Sequence, residues 1–269
     1  MPNSPGDGPA PDSDDITTVL RDSVATVRLG NPERLTVLTV GLASRLEMAI
    51  TSLAGDPGVR CIIVTGSGRV FVAGADVVAL RAASVDEAVA FNRALVTLAD
   101  RVTESAVPVI CCLNGHAFGG GLELALACSV RIVDADAKLG FPEVKVGILP
   151  GSGGMLRLPQ FVGRGAMIDL LTTGRTVDAA EAFELGLVDK VATAGSALEQ
   201  AHALAREIVA AAPLAVRAIL DVIQLAPRLA HSEATALVED RLRTLFASAD
   251  ANEGFTAFLE RRPPQFGAR

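Results

Sequence analysis

The residues best suited to chemistry lie in the segment 114–123, NGHAFGGGLE, where three successive glycines separate an apolar stretch from a helical pattern. Glycine leaves the backbone bare, so a ligand can approach closely, and the N–H groups at a helix N-terminus carry partial positive charge. A flexible turn that allows tight packing is the alternative explanation. The segment therefore predicts either a backbone binding site or a close-packed turn.

A second segment, 71–76 (FVAGAD), has small side chains that leave a backbone amide exposed. If Ala75 and Gly120 each direct an N–H at one point, the two form an oxyanion hole, in which each donor stabilises a transition state by about 3 kcal/mol. Each segment by itself is a weak indication of such a site.

Two glutamates lie close to these segments in the sequence. Glu123 ends the glycine run, and Glu143 lies in an apolar stretch bracketed by proline and glycine. Taken singly, Glu123 is typical of a carboxylate stabilised by a helix dipole, and Glu143 of an ion-paired loop residue. Two carboxylates that flank one water beside an oxyanion hole are, however, what addition across an activated double bond requires.

The surrounding elements must position these residues. Apolar, strand-like runs at 24–29, 61–64, 107–113 and 130–133 alternate with helical periodicity at 42–53, 85–101 and 122–128. This alternation predicts an α/β core. From about residue 197 the sequence is rich in Ala, Leu and Arg and is punctuated by Pro213 and Pro227, which predicts a helical C-terminal third. Asp178 with Glu181, and Asp250 with Glu253, have the spacing of helix N-termini.

Composition narrows the classes of function. The net charge is −7, the pI is near 5.1, and Trp and Tyr are absent, so nucleic acid is not an expected partner. No apolar run approaches the length of a membrane span, and residues 1–15 have the composition of a disordered tail. The four cysteines lie in apolar stretches without CxxC spacing, which predicts reduced core thiols and a cytoplasmic protein.

The histidines do not indicate a metal site. His116, His202 and His231 have no metal-binding spacing, and His116 is expected to have a hydrogen-bonded structural role. The sequence has no HExxH, P-loop or GxSxG motif, so it does not support a metalloprotease, a nucleotidase or a serine hydrolase.

At these residues the sequence resembles the enoyl-CoA hydratase/isomerase, or crotonase, family, and the match extends from about residue 17 to residue 266. The order of five motifs makes the resemblance specific. They are AGAD at 73–76, NGxAxGGGxELA at 114–125, FPE at 141–143 with PGxGG at 150–154, TG at 173–174 with AxxxGLV at 182–188, and EGxxAFLERRxPxF at 253–266.

The resemblance implies an α/β fold, a crotonase-like spiral of ββα turns at 16–196, followed by a helical oligomerisation region at 197–269 that forms homotrimers or dimers of trimers. It implies that the amides of Ala75 and Gly120 bind the thioester oxygen of an acyl-CoA, which is the substrate, with no separate cofactor. Glu123 and Glu143 match the two catalytic glutamates of the hydratases. The implied CoA-binding and substrate-binding residues are Val37, Ala73, Gly74, Ala75, Asp76, Gly119, Gly120, Gly151, Phe258 and Arg261, of which Phe258 and Arg261 reach the CoA of a neighbouring subunit.

The sequence departs from the family pattern at several places, two of which concern the predicted contacts with CoA. Thr36 and Val37 replace the usual Asn-Ala beside the CoA pocket, and Val78 stands where lysine is frequent, which leaves phosphate contacts to residues such as Arg34, Arg81 and Arg261. Because relatives with other activities often replace one or both glutamates, hydration of a 2-trans-enoyl-CoA is the leading expectation. Enoyl-CoA isomerisation or other enolate chemistry, and acyl-CoA binding without turnover, are the alternatives.

Overall fold

The structure is a computed structural model that describes residues 16–268, so the predicted tail at 1–15 lies outside the described residues. The strands are β1 (Ile16–Arg21), β2 (Val24–Leu29), β3 (Cys61–Thr65), β4 (Val70–Val72), β5 (Val109–Leu113), β6 (His116–Phe118), β7 (Val130–Asp134), β8 (Lys138–Gly140), β9 (Thr176–Asp178) and β10 (Lys190–Ala192). The helices are α1 (Val40–Gly55), α2 (Val77–Ala82), α3 (Val85–Thr103), α4 (Gly120–Ala127), α5 (Gly154–Arg157), α6 (Arg164–Thr173), α7 (Ala179–Leu185), α8 (Ala197–Ala210), α9 (Pro213–Leu225), α10 (His231–Phe246) and α11 (Ala249–Glu260), with 3₁₀ turns at Pro142–Val146, Leu158–Gln160 and Ala226–Arg228.

The strands form two sheets, and from β3 to β8 consecutive strands alternate between them. One sheet has six strands in the order β1-β2-β3-β5-β7-β10, and the other has four in the order β4-β6-β8-β9. The pairs β3/β4, β5/β6 and β7/β8 each contribute one strand to each sheet, and helices follow β4 and β6. The chain therefore advances by ββα turns, which confirms the predicted α/β fold class.

The central strands are apolar throughout because both faces of the large sheet are covered. All five residues of β3 and of β5 are buried. Ile62 and Val64 pack into the larger core with α1, α3 and α4, whereas Cys61 and Ile63 pack into a second core against α8. This two-sided burial is the reason that these strands read as continuous apolar runs rather than as alternating ones. The four cysteines are buried and free, as predicted.

Of the two helix starts predicted from the sequence, one is confirmed and the other is wrong. Asp178 is the N-cap of α7 and accepts the Glu181 N–H at 2.9 Å, as predicted. The prediction that Asp250 begins a helix is wrong, because Ser248 is the N-cap of α11 and its hydroxyl accepts the Ala251 N–H. Asp250 lies inside the first turn, where its buried carboxylate accepts backbone N–H groups of residues 267 and 268.

The pattern also missed six strands, namely the edge strand β1 and the three-residue strands β4, β6, β8, β9 and β10. β1 pairs antiparallel with β2 at the edge of the large sheet, and its residues are exposed except for the half-buried Ile16. An edge strand without a buried face has no alternating apolar pattern to reveal it.

The described residues from Ala197 onward are helical, up to the segment after Glu260. Within residues 16–268 no single helix is long and apolar enough to cross a membrane. One pair of helical segments, Ala197–Ala210 and Pro213–Arg228, together has the length and apolar composition of a membrane span, but the two segments are bent by 109° relative to each other.

Candidate active site

The segment that contains Ala75 is held by a short parallel pairing with residues 36–38. The Leu38 N–H donates to the Gly74 carbonyl at 2.7 Å, and the Asp76 N–H donates to the Leu38 carbonyl at 3.2 Å. In such a pairing the residue between the two bonded groups turns its own N–H to the opposite side. The Ala75 N–H therefore points away from Leu38, and Ala75 lines a cavity on its other side.

Gly119 and Gly120 form the turn from β6 into α4. Gly119 has φ +50° and ψ −125°, a backbone conformation that is essentially restricted to glycine. Its carbonyl accepts the Glu123 N–H at 2.9 Å, so α4 starts directly after it. Gly120 is the first helical residue and its N–H has no acceptor within the helix. Gly120 lines the same cavity as Ala75, so the fold brings the two predicted oxyanion residues to one place.

Glu123 is buried in the first turn of α4, with 2% of its surface exposed. Its Oε1 accepts the Gly154 N–H at 2.8 Å. Burial raises the pKa of this carboxyl, while the Gly154 N–H, the N–H and hydroxyl of Ser152, and the positive charge of Arg157 act in the opposite direction. Glu123 therefore has donors around it that favour its ionised form.

Glu143 lies in the 3₁₀ turn Pro142–Val146 and has different surroundings. Its Oε2 is buried and has no hydrogen-bond partner among the described residues. Burial, together with the negative charge of Glu123, raises the pKa of this carboxyl to about 7. An ionised oxygen without a donor is costly to bury, so this environment favours the protonated acid. Burial thus raises the pKa of both carboxyl groups, but the two differ in the hydrogen-bond donors that surround them.

Both glutamates face one cavity of about 570 Å³. Its polar lining comprises Glu123, Glu143, Asn92 and Ser152, together with the backbone of Ala75, Gly120, Gly147 and Gly151. The rest of the lining is apolar and comprises Leu80, Val85, Ala88, Val89, Phe91, Leu95, Ile148 and Leu149. The cavity therefore has an acidic, amide-lined part that could act on a carbonyl compound and an apolar part that could hold a hydrocarbon chain.

Sequence reasoning missed the residues that hold the glycine-rich segment 150–154 beside Glu123. Asn92 of α3 donates from Nδ2 to the Gly151 carbonyl at 2.8 Å, and Ser152 Oγ lies 3.3 Å from Asn92 Oδ1. The sequence did contain a signal for Asn92. This polar residue lies one helical turn from Ala88 and one turn from Leu95, so it shares the apolar face of α3. A polar side chain at such a position needs a partner, and here the partner is the segment next to Glu123.

The other predicted binding residues are placed as follows. Asp76 caps α2, since its Oδ1 accepts the N–H groups of Val78 and Ala79 at 3.0 Å each. Ala73 donates its N–H to the Thr36 carbonyl at 2.8 Å, and Gly74 is buried with φ +113°. Their predicted contacts with CoA stay predictions.

Over residues 16–268, seven of the predicted residues are outside the lining of this cavity: Ala73, Gly74, Asp76 and Gly119, each within two residues of a lining residue, and Val37, Phe258 and Arg261. Val37 is half-buried beside Thr36 and is outside the lining of this cavity in the part of the chain described. Phe258 of α11 is 83% exposed, and Arg261 is the C-cap of the same helix. One chain alone does not bring Phe258 and Arg261 to the glutamates, and their predicted contact with the CoA of a neighbouring subunit stays a prediction.

The histidine and metal expectations have a simple structural outcome. His116 Nδ1 accepts the Lys138 N–H at 3.0 Å, which confirms its hydrogen-bonded structural role. Over residues 16–268 no group of three or more His, Cys, Asp or Glu side chains could hold a metal ion.

Gly119→Ala is expected to lower the free energy of unfolding by about 1–3 kcal/mol, because the backbone conformation of Gly119 excludes a side chain. A Cβ there would also collide with Glu143 Oε1. Urea unfolding measures the loss. The matched control is Gly55→Ala at the end of α1, where a Cβ meets no atom of residues 16–268 within 4 Å and the change should be neutral or stabilising. An equal effect of the two substitutions would contradict the assigned strain.

Comparison with known proteins identifies related sequences. The family model described as enoyl-CoA hydratase/isomerase matches residues 20–269. A crotonyl-CoA hydratase of Syntrophomonas wolfei is 38% identical over 247 residues, which cover 91% of this chain and 95% of the relative.

Solved structures show the same similarity. An enoyl-CoA hydratase from Bacillus anthracis superposes with a TM-score of 0.91 at 30% identity and covers 94% of this chain and 99% of its own. An enoyl-CoA hydratase from Polaromonas sp. JS666 superposes with a TM-score of 0.89 at 29% identity and covers 94% and 99%. The family match extends over most of the chain, and the chain therefore belongs to the enoyl-CoA hydratase/isomerase family.

Proposed function

We propose that this chain is an enoyl-CoA hydratase, which adds water across the double bond of a 2-trans-enoyl-CoA to give a 3-hydroxyacyl-CoA. One observation carries the proposal: Glu123 and Glu143 face the same cavity, where Glu123 has hydrogen-bond donors that favour its carboxylate and the buried Glu143 Oε2 has no partner among residues 16–268. Hydration needs a base for water and an acid for the α-carbon, and this pair supplies both.

In the proposed reaction the thioester oxygen lies at the amides of Ala75 and Gly120. Attack of water at C3 moves negative charge onto that oxygen, so fixed N–H dipoles lower the barrier selectively. Glu123 accepts a proton from the attacking water, and Glu143 delivers a proton to C2. Because adjacent carboxyls titrate as a pair, the two ionisations are properties of both groups together.

The remaining binding roles are part of the same proposal. Ala73, Gly74, Asp76 and Gly119 belong to the segments beside the two amides and would border the CoA, with Val37 next to them. Gly151 lines the cavity next to Ser152 and would border the water.

We further propose that the chain assembles into homotrimers or dimers of trimers, in which Phe258 and Arg261 reach a neighbouring CoA. Large apolar side chains that a single chain leaves exposed on α10 and α11 support assembly. They are Val238, Leu242, Phe246, Phe255, Phe258 and Leu259.

A spectrophotometric assay with 2-enoyl-CoA thioesters tests the activity. Hydration removes the conjugated enoyl absorbance and yields a 3-hydroxyacyl-CoA. A product with a displaced double bond would instead indicate isomerisation. Binding of the thioester with no change in absorbance would indicate an acyl-CoA binding protein.

Acyl-chain length should affect the rate because the cavity continues from the glutamates along an apolar wall. Each methylene that becomes buried there contributes about 0.8 kcal/mol, or roughly a fourfold gain. We expect kcat/KM to rise from the four-carbon to the eight-carbon 2-enoyl-CoA. Ala88→Phe should reduce the rate of the longer substrate more than that of the shorter one, and Ala90→Phe, on the exposed side of α3, is the matched control. A flat or falling series in the wild type would contradict this use of the apolar wall.

A further inference from the structure

Asn92 connects the long helix α3 to the segment that holds Glu123. Its Nδ2 donates to the Gly151 carbonyl at 2.8 Å, and its Oδ1 lies 3.3 Å from the Ser152 hydroxyl. Asn92 is half-buried and lines the cavity that contains both glutamates. It therefore contacts the site from α3.

The orientation of the Asn92 amide follows from its partners. A backbone carbonyl can only accept a hydrogen bond, so the amide nitrogen must face Gly151. The amide oxygen then faces Ser152, whose hydroxyl donates to it. A side chain of the same shape without an N–H donor cannot make this pair of bonds.

The segment 151–154 is thereby attached at two places. At one end Asn92 holds Gly151 and Ser152, and at the other end the Gly154 N–H donates to Glu123 Oε1 at 2.8 Å. The packing is close at both ends. A Cβ on Gly151 would lie 2.7 Å from Asn92 Oδ1, and a Cβ on Gly154 would lie 2.8 Å from Glu123 Oε1. Displacement at the Asn92 end would therefore change the position of the donor that orients Glu123.

We propose that Asn92 is a positioning residue for Glu123, because it fixes the 151–154 segment whose Gly154 N–H orients the Glu123 carboxylate. The inference rests on the proposed hydratase function for its effect on rate. Asn92 itself exchanges no proton with the substrate. It holds the base in line with the attacking water, and a misplacement of about 1 Å at such a site can cost about 100-fold in rate.

Two substitutions of similar shape test this role. Asn92→Leu removes both polar groups, and Asn92→Asp removes the N–H donor. The matched controls, Ala90→Leu and Ala90→Asp, make comparable changes two residues away on the exposed face of α3. We expect kcat to fall by about 10- to 100-fold in both Asn92 variants. The Kd for butyryl-CoA, a saturated acyl-CoA that cannot react, should stay within threefold, and the midpoint of thermal unfolding should stay close to that of the wild type.

Amide hydrogen exchange gives a readout that does not depend on turnover. Exchange in the peptide that covers residues 150–157 should be faster in both Asn92 variants than in the wild type and the two controls. If the Asn92 variants turn over like the controls, or lose acyl-CoA affinity and thermal stability together with kcat, the positioning role is overturned. If the wild type hydrates no enoyl-CoA, the proposed function fails by itself. Faster exchange in the Asn92 variants would still show that Asn92 fixes the 151–154 segment. Unchanged exchange would overturn that part of the proposal.

Discussion

Replacement of Glu123 by glutamine is expected to lower kcat for hydration by about 10²- to 10⁴-fold, the usual contribution of a general base. Glutamine has the same shape, and its Oε1 can still accept the Gly154 N–H that Glu123 accepts at 2.8 Å. The segment around Gly154 therefore stays in place, and the loss of rate reports the loss of the base rather than a local collapse.

The Glu123→Gln variant also changes the charge that Glu143 experiences. The negative charge of Glu123 contributes to the raised pKa of Glu143, so its removal should move the remaining alkaline limb of the pH profile to lower pH. Steady-state kinetics from pH 5.5 to 9 measure both effects. Glu184→Gln, on the exposed side of α7, is the matched control. More than a tenth of wild-type activity in Glu123→Gln would contradict the assignment of Glu123 as base.

Replacement of Glu143 by glutamine is expected to lower kcat by about 10²- to 10⁴-fold, because an amide cannot deliver a proton to C2. In the wild type the pKa of Glu143 is raised to about 7, so the acid form is present below that pH and is lost above it. The wild-type kcat/KM should accordingly fall about tenfold per pH unit well above pH 7. The residual activity of Glu143→Gln should lack this alkaline limb.

The pH profile of Glu143→Gln separates a catalytic role from a packing role. Glutamine is similar in size and keeps the group that packs against Gly119. A variant with an unchanged alkaline limb would show that a different group supplies the proton. A variant with full activity would remove Glu143 from the mechanism. In either result the family membership would stand, because it rests on the match over residues 20–269.

Much of the fold was predictable because burial leaves a pattern in the sequence. The strands β2, β3, β5 and β7 have apolar runs that match their structural bounds within two residues. The edge strand β1 was not predicted, since it buries no face. The start of α11 was misplaced because Asp250 and Ser248 are both good N-cap residues, and the choice depended on the segment at 267–268 that Asp250 holds.

The sequence alone determined the types of residue at the site. The glycine run, the small side chains at 73–75 and the two glutamates were visible as local signals, and the order of the five motifs indicated the family. The sequence reveals the glycine run because the backbone conformation of Gly119 and the start of α4 depend on residues next to each other in the chain.

Only the tertiary structure decided that the two glutamates share a cavity and that their environments differ. Burial of the Glu143 Oε2 without a partner in the described part of the chain, and the donation of the Gly154 N–H to Glu123, depend on contacts between segments about 20 to 30 residues apart. The role of Asn92 depends on a contact across 59 residues. Desolvation and hydrogen bonding at this distance along the chain have no counterpart in local sequence, because they arise only when the sheets bring α3, α4 and the 150–154 segment together.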